Sequence, residues 1–537
     1  MSDDVAAALR RSAAGALIIE PDGHLRAASF AGPSSLSPTV AMMTARGTAL
    51  ATAFGPDLNL TIRILSEAGA PVEHAVVRLI GEQVSIQGVT DGDGRVDLTL
   101  QGELPDTIDA IFVNARTGFW GLWQHRPYLE TDAVNSFTLK PLSLSEEQDW
   151  GGAAMRFDRI PNQCRGARIK IALIDSGVAT SHKQLTTIHH GFDIRGGEGQ
   201  AGSTAELSAD LMGHGTPCAG LIKAAPQPDH AIRGCAPDSE LHICKLPADA
   251  HCSDLIAALD YCLHNGIDVA CLGFGCAHGS ALVEQRIAMA KQHGVSLIAA
   301  AGNSAGAVLF PACSPHVLAV GAIGQTGSYP EDSPQAAQAA GATVAAGGLF
   351  VPSFCCRGPE LDLCAPGVAV MACQSPDSYA ACDGTSLAAA HVTALAALIL
   401  ADHSDFKGNF AAKDFQRVER LFQILKDTAQ PIGHPWQTGA GLPDAARALG
   451  IWTEQQPLVA PLNVGLREMR NAIRQIDQIH FGASEAMAFG PPRGPANITR
   501  LPLNPAPLAF PQGFQSAGGD KPSVHELKAA MTLAGLA

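Results

Sequence analysis

The sequence predicts an α/β protein, a doubly wound and mostly parallel sheet joined to a smaller N-terminal antiparallel β-sandwich. Three observations carry this. From about residue 165 to 450, continuous apolar runs of strand length alternate with helical stretches, the pattern of a parallel sheet buried on both faces. From 57 to 142, short alternating or β-branched runs are divided by turn residues. The chain has 537 residues, more than one hydrophobic core ordinarily encloses.

In chain order, residues 1–55 are rich in Ala, Ser and Gly with weak periodicity, and only partial order is expected there. The chain opens with two Asp and the apolar stretch Ala13–Ile19 is cut at Glu20, so no secretory signal is read. Residues 56–145 form the expected sandwich, with strands over 58–65, 75–81, 84–89, 95–100 and 109–115. Turn signals at Gly69-Ala70-Pro71 and Asp91-Gly92-Asp93-Gly94 separate them. Its segment AGAPVEHAVVRL…TDGDGRVDLTL resembles transthyretin-like or carboxypeptidase-regulatory sandwiches, which are ordinarily non-catalytic appendages. Residues 150–455 are the expected α/β domain, with strands at IKIALID (169–175), LHICKL (241–246), DVACLGF (268–274) and SLIAAAG (296–302). Helices are expected over Ser253–Asn265 and Ala281–His293, and 324–352 reads as a surface insertion. Residues 456–537 are expected to hold one amphipathic helix on Leu466, Met469, Ile473 and Ile476, then a Pro-rich tail.

A net charge of −15 argues against a nucleic-acid partner, because phosphate neutralisation needs clustered Lys and Arg. No uninterrupted apolar run reaches the roughly 20 residues of a membrane span. All 14 cysteines lie between Cys164 and Cys382, without paired CxxC spacing. Several sit inside apolar runs, so they read as reduced, buried hydrophobes, and the expected compartment is the cytoplasm.

Three motifs carry chemistry. IALIDSGV (171–178) ends a buried strand at Asp175, at the carboxyl edge where open α/β sheets place their sites. GHGTPCAGLI (213–222) flanks His214 with two glycines ahead of a helix. DGTSLAAAHVTALAALIL (383–400) sets Ser386 at the start of a long apolar helix, whose positive end favours developing negative charge. Singly, each has an ordinary structural explanation: a turn, a structural histidine, a helix cap.

Together, and in this order, they resemble the subtilase family of serine peptidases. GCAPDSELHICKL, GIDVACLGFG, SLIAAAGNSAG, FPACSPHVLAVGA, FCCRGPELDLCAPG and GAGLPDAARAL match family segments in sequence order over roughly 165–450. The resemblance implies a subtilisin-like fold and a serine endopeptidase in which Asp175, His214 and Ser386 are the catalytic triad and Asn303 is an oxyanion donor. It implies an extended peptide substrate laid against Gly273, Phe274 and Gly275, with Ala300, Ala301 and Gly302 as the opposite wall of the first pocket. No cofactor is implied for the chemistry and no metal ligands are legible; structural calcium, common in the family, has no sequence support here. Leu309 falls near the pocket floor where the family often has Gly, which predicts a preference for a small residue before the scissile bond. Cys218, four residues from His214, is either a reactive thiol beside the site or a buried filler. The flanking regions, sandwich or tail, are candidates for intramolecular regulation. Intact motifs favour an active peptidase of limited processing; the alternative is an inactive or transpeptidase-type scaffold that recruits partners through its flanks.

Overall fold

The computed structural model describes residues 18, 20–27, 57–115, 118–143, 150–194, 210–226 and 232–451. The expectations for most of 1–55 and for 456–537, including the amphipathic helix and the Pro-rich tail, lie outside the described residues.

A two-residue strand, β1 (Arg26–Ala27), comes first. The sandwich follows with β2 (Asp57–Ser66), β3 (Val76–Gly81), β4 (Ser85–Val89), β5 (Arg95–Gln101), β6 (Ile108–Asn114), β7 (Leu122–His125) and β8 (Val134–Leu139). Alternation along β2 sends Leu58, Leu60, Ile62 and Ile64 inward, as a period of two requires. They pack with Val77, Leu79, Leu98, Leu100, Ile111 and Val113 in one core. The sheets run β5-β2-β8 and β4-β3-β6-β7. One pair departs from the expected antiparallel pattern: β8 lies parallel to β2. The chain crosses over after β7 and starts β8 beside Thr61, so it runs with β2 instead of returning against it. The turn before β5 closes as its residues predict, with Asp91 Oδ1 accepting from the backbone N–H groups of Asp93 and Arg95.

The larger unit begins with helix α1 (Trp150–Ala154) and strands β9 (Lys170–Asp175) and β10 (His190–Asp193). It continues through α2 (Gly215–Lys223), β11 (Glu240–Lys245), α3 (Cys252–His264), β12 (Val269–Leu272), β13 (Phe274–Gly275), α4 (Ala281–Gln292), β14 (Ser296–Ala300) and β15 (Leu318–Gln325). Next come α5 (Pro334–Gln338), β16 (Leu349–Phe350), β17 (Leu363–Pro366), β18 (Val370–Gln374), β19 (Ser378–Cys382), α6 (Thr385–Asp402) and α7 (Phe415–Asp427).

The eight-stranded sheet is ordered β10-β11-β9-β12-β14-β15-β16, with β17 beside β15, and only β15–β16 is antiparallel. Strand order reverses at β9, which carries β11 on one side and β12 on the other. That switch point opens a crevice at the carboxyl ends of β9 and β12. Helix α6 is long and apolar enough to cross a membrane, but it is 89% buried and forms the centre of the protein core. A helix apolar on every face belongs inside. All 14 cysteines carry free thiols.

The 324–352 segment is more than a surface insertion. The backbone N–H of Trp123 donates to Asp332 O at 2.7 Å, and Lys140 pairs with the Asp332 carboxylate at 2.8 Å. Trp120, from the connection before β7, is 5% exposed and sits in the peptidase-side core cluster with Trp150 and Phe350. The insertion is therefore the seat on which the sandwich docks.

Candidate active site

Asp175 ends β9, His214 is the N-cap of α2, and Ser386 is the second residue of α6. The fold brings these three distant residues together. His214 Nδ1 lies 2.6 Å from Asp175 Oδ1, and His214 Nε2 lies 3.0 Å from Ser386 Oγ. All three are buried. The approach depends on glycine. A Cβ on Gly215 would stand 2.1 Å from Gly177 O, and one on Gly273 would stand 2.1 Å from Asp175 Oδ2. Any side chain at either position would push the imidazole loop or the following strand off the carboxylate. Such a carboxylate–imidazole–hydroxyl chain can take the serine proton and hold the imidazole in one tautomer.

Two supporting residues escaped the sequence reading. Asp210 accepts from Ser176 Oγ and from the Gly213 and Thr216 N–H groups, while Ser176 Oγ accepts from Gly215 N. This network fixes the backbone around His214. Thr385 fixes Asn303: its N–H and Oγ1 both donate to Asn303 Oδ1, at 3.0 and 2.8 Å. With its oxygen so committed, Asn303 presents its amide nitrogen as the donor, and Nδ2 is buried without a partner. A buried donor left unpaired is costly unless it serves a ligand. The only sequence hint for Thr385 was its place between Gly384 and Ser386; nothing marked Asp210.

Gly273–Gly275 lie along β12–β13, and Ala300–Gly302 lie at the end of β14. Leu309 stands between the two segments. Its side chain comes within 2.7 Å of a Cβ position on Gly302 and 3.3 Å of one on Gly275. The space between the walls is thus partly filled from the protein itself. Cys218 is fully buried, and burial, followed by the Asp175 charge, pushes its thiol well above the ordinary range. Of its two expected roles, filler is the one the burial fits. Burial also raises the Asp383 carboxyl to about 6, although it accepts from Ala369 N and Gln335 Nε2.

The N-terminal segment runs through this cleft. β1 pairs antiparallel with β13, Arg26 opposite Gly275 and Ala27 opposite Phe274. On its other side, Leu25 N donates to Ala250 O and Cys252 N donates to Gly23 O. Leu25 is 3% exposed, in the cluster that holds Ala250, Leu255 and Phe274. Two acidic residues pin the segment to helix starts. Asp22 accepts from Ser253 N and Oγ at α3, and Glu20 accepts from Ser280 Oγ and the Ala281 and Leu282 N–H groups at α4. Among the described residues, no group of three His, Cys, Asp or Glu side chains is placed to hold a metal ion.

Residues 166–448 match the subtilase family. The chain is similar to alkaline elastase YaB of Bacillus sp. (strain YaB), 30% identical over 387 residues that cover 70% of this chain and 87% of that protein. It is similar to subtilisin E of Bacillus subtilis (strain 168), 31% identical over 285 residues, 52% of this chain and 64% of that protein. Subtilisin Savinase of Lederbergia lenta is 30% identical over 304 residues, 56% of this chain and 97% of that protein. The family match spans the sheet, the crevice and all three motifs, and with it the chain belongs to the subtilase family as a subtilisin-like serine endopeptidase.

Proposed function

We propose that the chain performs limited processing of a protein or peptide, with Asp175, His214 and Ser386 as its triad. The observation that carries this is the unbroken 2.6 and 3.0 Å chain of contacts, with the unpaired Asn303 Nδ2 as a free donor. Subtilases need no cofactor for the chemistry. Ser386 Oγ attacks the scissile carbonyl as His214 Nε2 takes its proton. The tetrahedral oxyanion is received by Asn303 Nδ2 and the Ser386 N–H. Its collapse passes the proton from His214 to the leaving amine and leaves an acyl-enzyme, which water then hydrolyses. The substrate lies as an extended strand on Gly273–Gly275, and its side chain before the scissile bond enters the short pocket capped by Leu309.

Limited rather than general proteolysis is supported by the segment already occupying that strand position. Residues 20–27 act as an intramolecular pseudo-substrate, held by Glu20 and Asp22, and a substrate must displace them. Free thiols throughout the 164–382 region support a reducing compartment, and we assign the protein to the cytoplasm on that ground. The test compares peptide hydrolysis by the full chain, by Ser386→Ala and by a Glu20→Ala/Asp22→Ala double variant. Hydrolysis is expected to vanish in the first and rise several-fold in the second; an unchanged rate in the double variant would contradict the pseudo-substrate reading.

A further inference from the structure

The direction of the cleft can be read from β1. Running from N to C terminus, it passes Gly275 and then Phe274, so a chain bound in this sense heads toward Gly273 and the triad. Gly273 lies against Asp175 and His214. Whatever follows the scissile bond must therefore pass beyond Ser386. There the structure has a chamber of about 990 Å³. Its floor includes His214, Ser386 and Leu387, and its lining contains none of Gly273–Gly275 or Ala300–Asn303. The chamber is the leaving-group half of the cleft.

One wall of that chamber belongs to the sandwich. Glu73 and His74 face it from the turn before β3, Val76 from β3, Gln87 from β4 and Phe112 from β6. The wall is anchored. Trp120 is buried in the peptidase-side core, Gly118 N donates to Tyr379 O on β19, and Trp123 N donates to Asp332 O. A volume at the top of the ~300–1,000 Å³ range of small-ligand pockets suits a few residues, not a long extended chain.

The lining holds more carboxylates than cations, although Asp377 already pairs with Lys183 at 3.1 Å and Asp210 is committed to the loop before α2. Glu73, Asp210, Asp377 and Asp383 line the chamber, and no lysine or arginine does among the described residues. Independently, two amide oxygens there lack partners. Gln335 is 6% exposed, its Nε2 is committed to Asp383, and its Oε1 is buried without a hydrogen bond. Gln374 Oε1 is also buried and unpaired. Both glutamines line the chamber, and a turn of either side chain brings its unpaired oxygen to an N–H donor entering it.

We infer that the N-terminal sandwich completes the leaving-group side of the active site, and that the chamber it closes selects a short segment bearing lysine or arginine just after the scissile bond. This rests on the peptidase reading of the triad and adds to it a specificity that the sandwich supplies. Acceptors at Gln335 and Gln374 take the donor groups, and Glu73 contributes charge from the sandwich side.

The test uses the full chain and internally quenched peptides with a fixed acyl side. Their leaving side carries either Lys-Lys or Glu-Glu, over two or ten residues. The Lys peptides are expected to be cleaved with about tenfold higher kcat/KM than the Glu peptides, the short ones better than the long. Glu73→Lys is expected to shrink or invert the Lys/Glu ratio, with the acyl-side preference unchanged. Binding is read separately, on Ser386→Ala, by anisotropy of a fluorescein-labelled Ser-Lys-Lys amide against its Ser-Glu-Glu counterpart. Hydrolysis with equal Lys and Glu values, or a Glu73→Lys variant with the wild-type ratio, overturns the chamber and leaves the peptidase standing. Selective binding without hydrolysis would instead sink the peptidase reading and keep the chamber.

Discussion

Replacing Leu309 by alanine should widen the first pocket, and the size of the effect follows from its position. The side chain stands between Gly275 and Gly302, in contact distance of the Cβ position on each. Leu309→Ala removes three carbons from the space a substrate side chain would enter. At about 0.8 kcal/mol per buried methylene, a bulky substrate residue gains roughly 2.4 kcal/mol, or about 50-fold in kcat/KM. The assay is a series of quenched peptides differing only in the residue before the scissile bond. Wild type is expected to prefer Ala or Ser over Phe, and the variant to raise the Phe/Ala ratio by about that factor. A wild-type preference for Phe, or a ratio that the substitution leaves alone, would refute the placement of Leu309 as the pocket cap.

Asn303→Ala should lower kcat by about 10²–10³ with little change in KM, a magnitude set on subtilisin, a relative of this chain; steady-state kinetics would count against the oxyanion role if KM carried the loss. Asp383 gives a pH signature. Its folded value is raised to about 6, from an unfolded value near ~3.9, so the native state disfavours the ionised form. Wild type therefore loses stability as pH rises from about 4 to 6, and loses no more above it. Asp383→Asn lacks that loss, and its stability relative to wild type should improve across this window by about 2–3 kcal/mol. Urea denaturation at several pH values reads the difference; one that is constant with pH would contradict the burial-driven shift.

The sequence carried the sheet and the motifs because both are local. IKIALID is apolar without a break and becomes β9, buried on both faces with Asp175 at its carboxyl end. His214 and Ser386 were legible as helix-start residues, and both prove to be so. What escaped is non-local. Residues 20–27 show no pattern because their pairing uses backbone groups that any sequence supplies, and the specificity resides in Glu20 and Asp22 reaching helix starts more than 200 positions away. The docking of the sandwich was hidden for the same reason. Trp120 reads as one more apolar residue until the fold buries it in another core. Thr385 looked like part of a motif, whereas its work is to hold Asn303 in the right sense. The parallel β2–β8 pair depends on the path of a connection, which alternation alone does not encode.

The central claim is that Ser386 is a nucleophile activated by His214. A fluorophosphonate reacts with such a serine and with few others, so the full chain should acquire one adduct, mapped by mass spectrometry to the peptide containing Ser386. Ser386→Ala should abolish labelling and hydrolysis together, and His214→Ala should slow labelling by several orders of magnitude. An adduct on another residue, or hydrolysis that survives Ser386→Ala, would contradict the account.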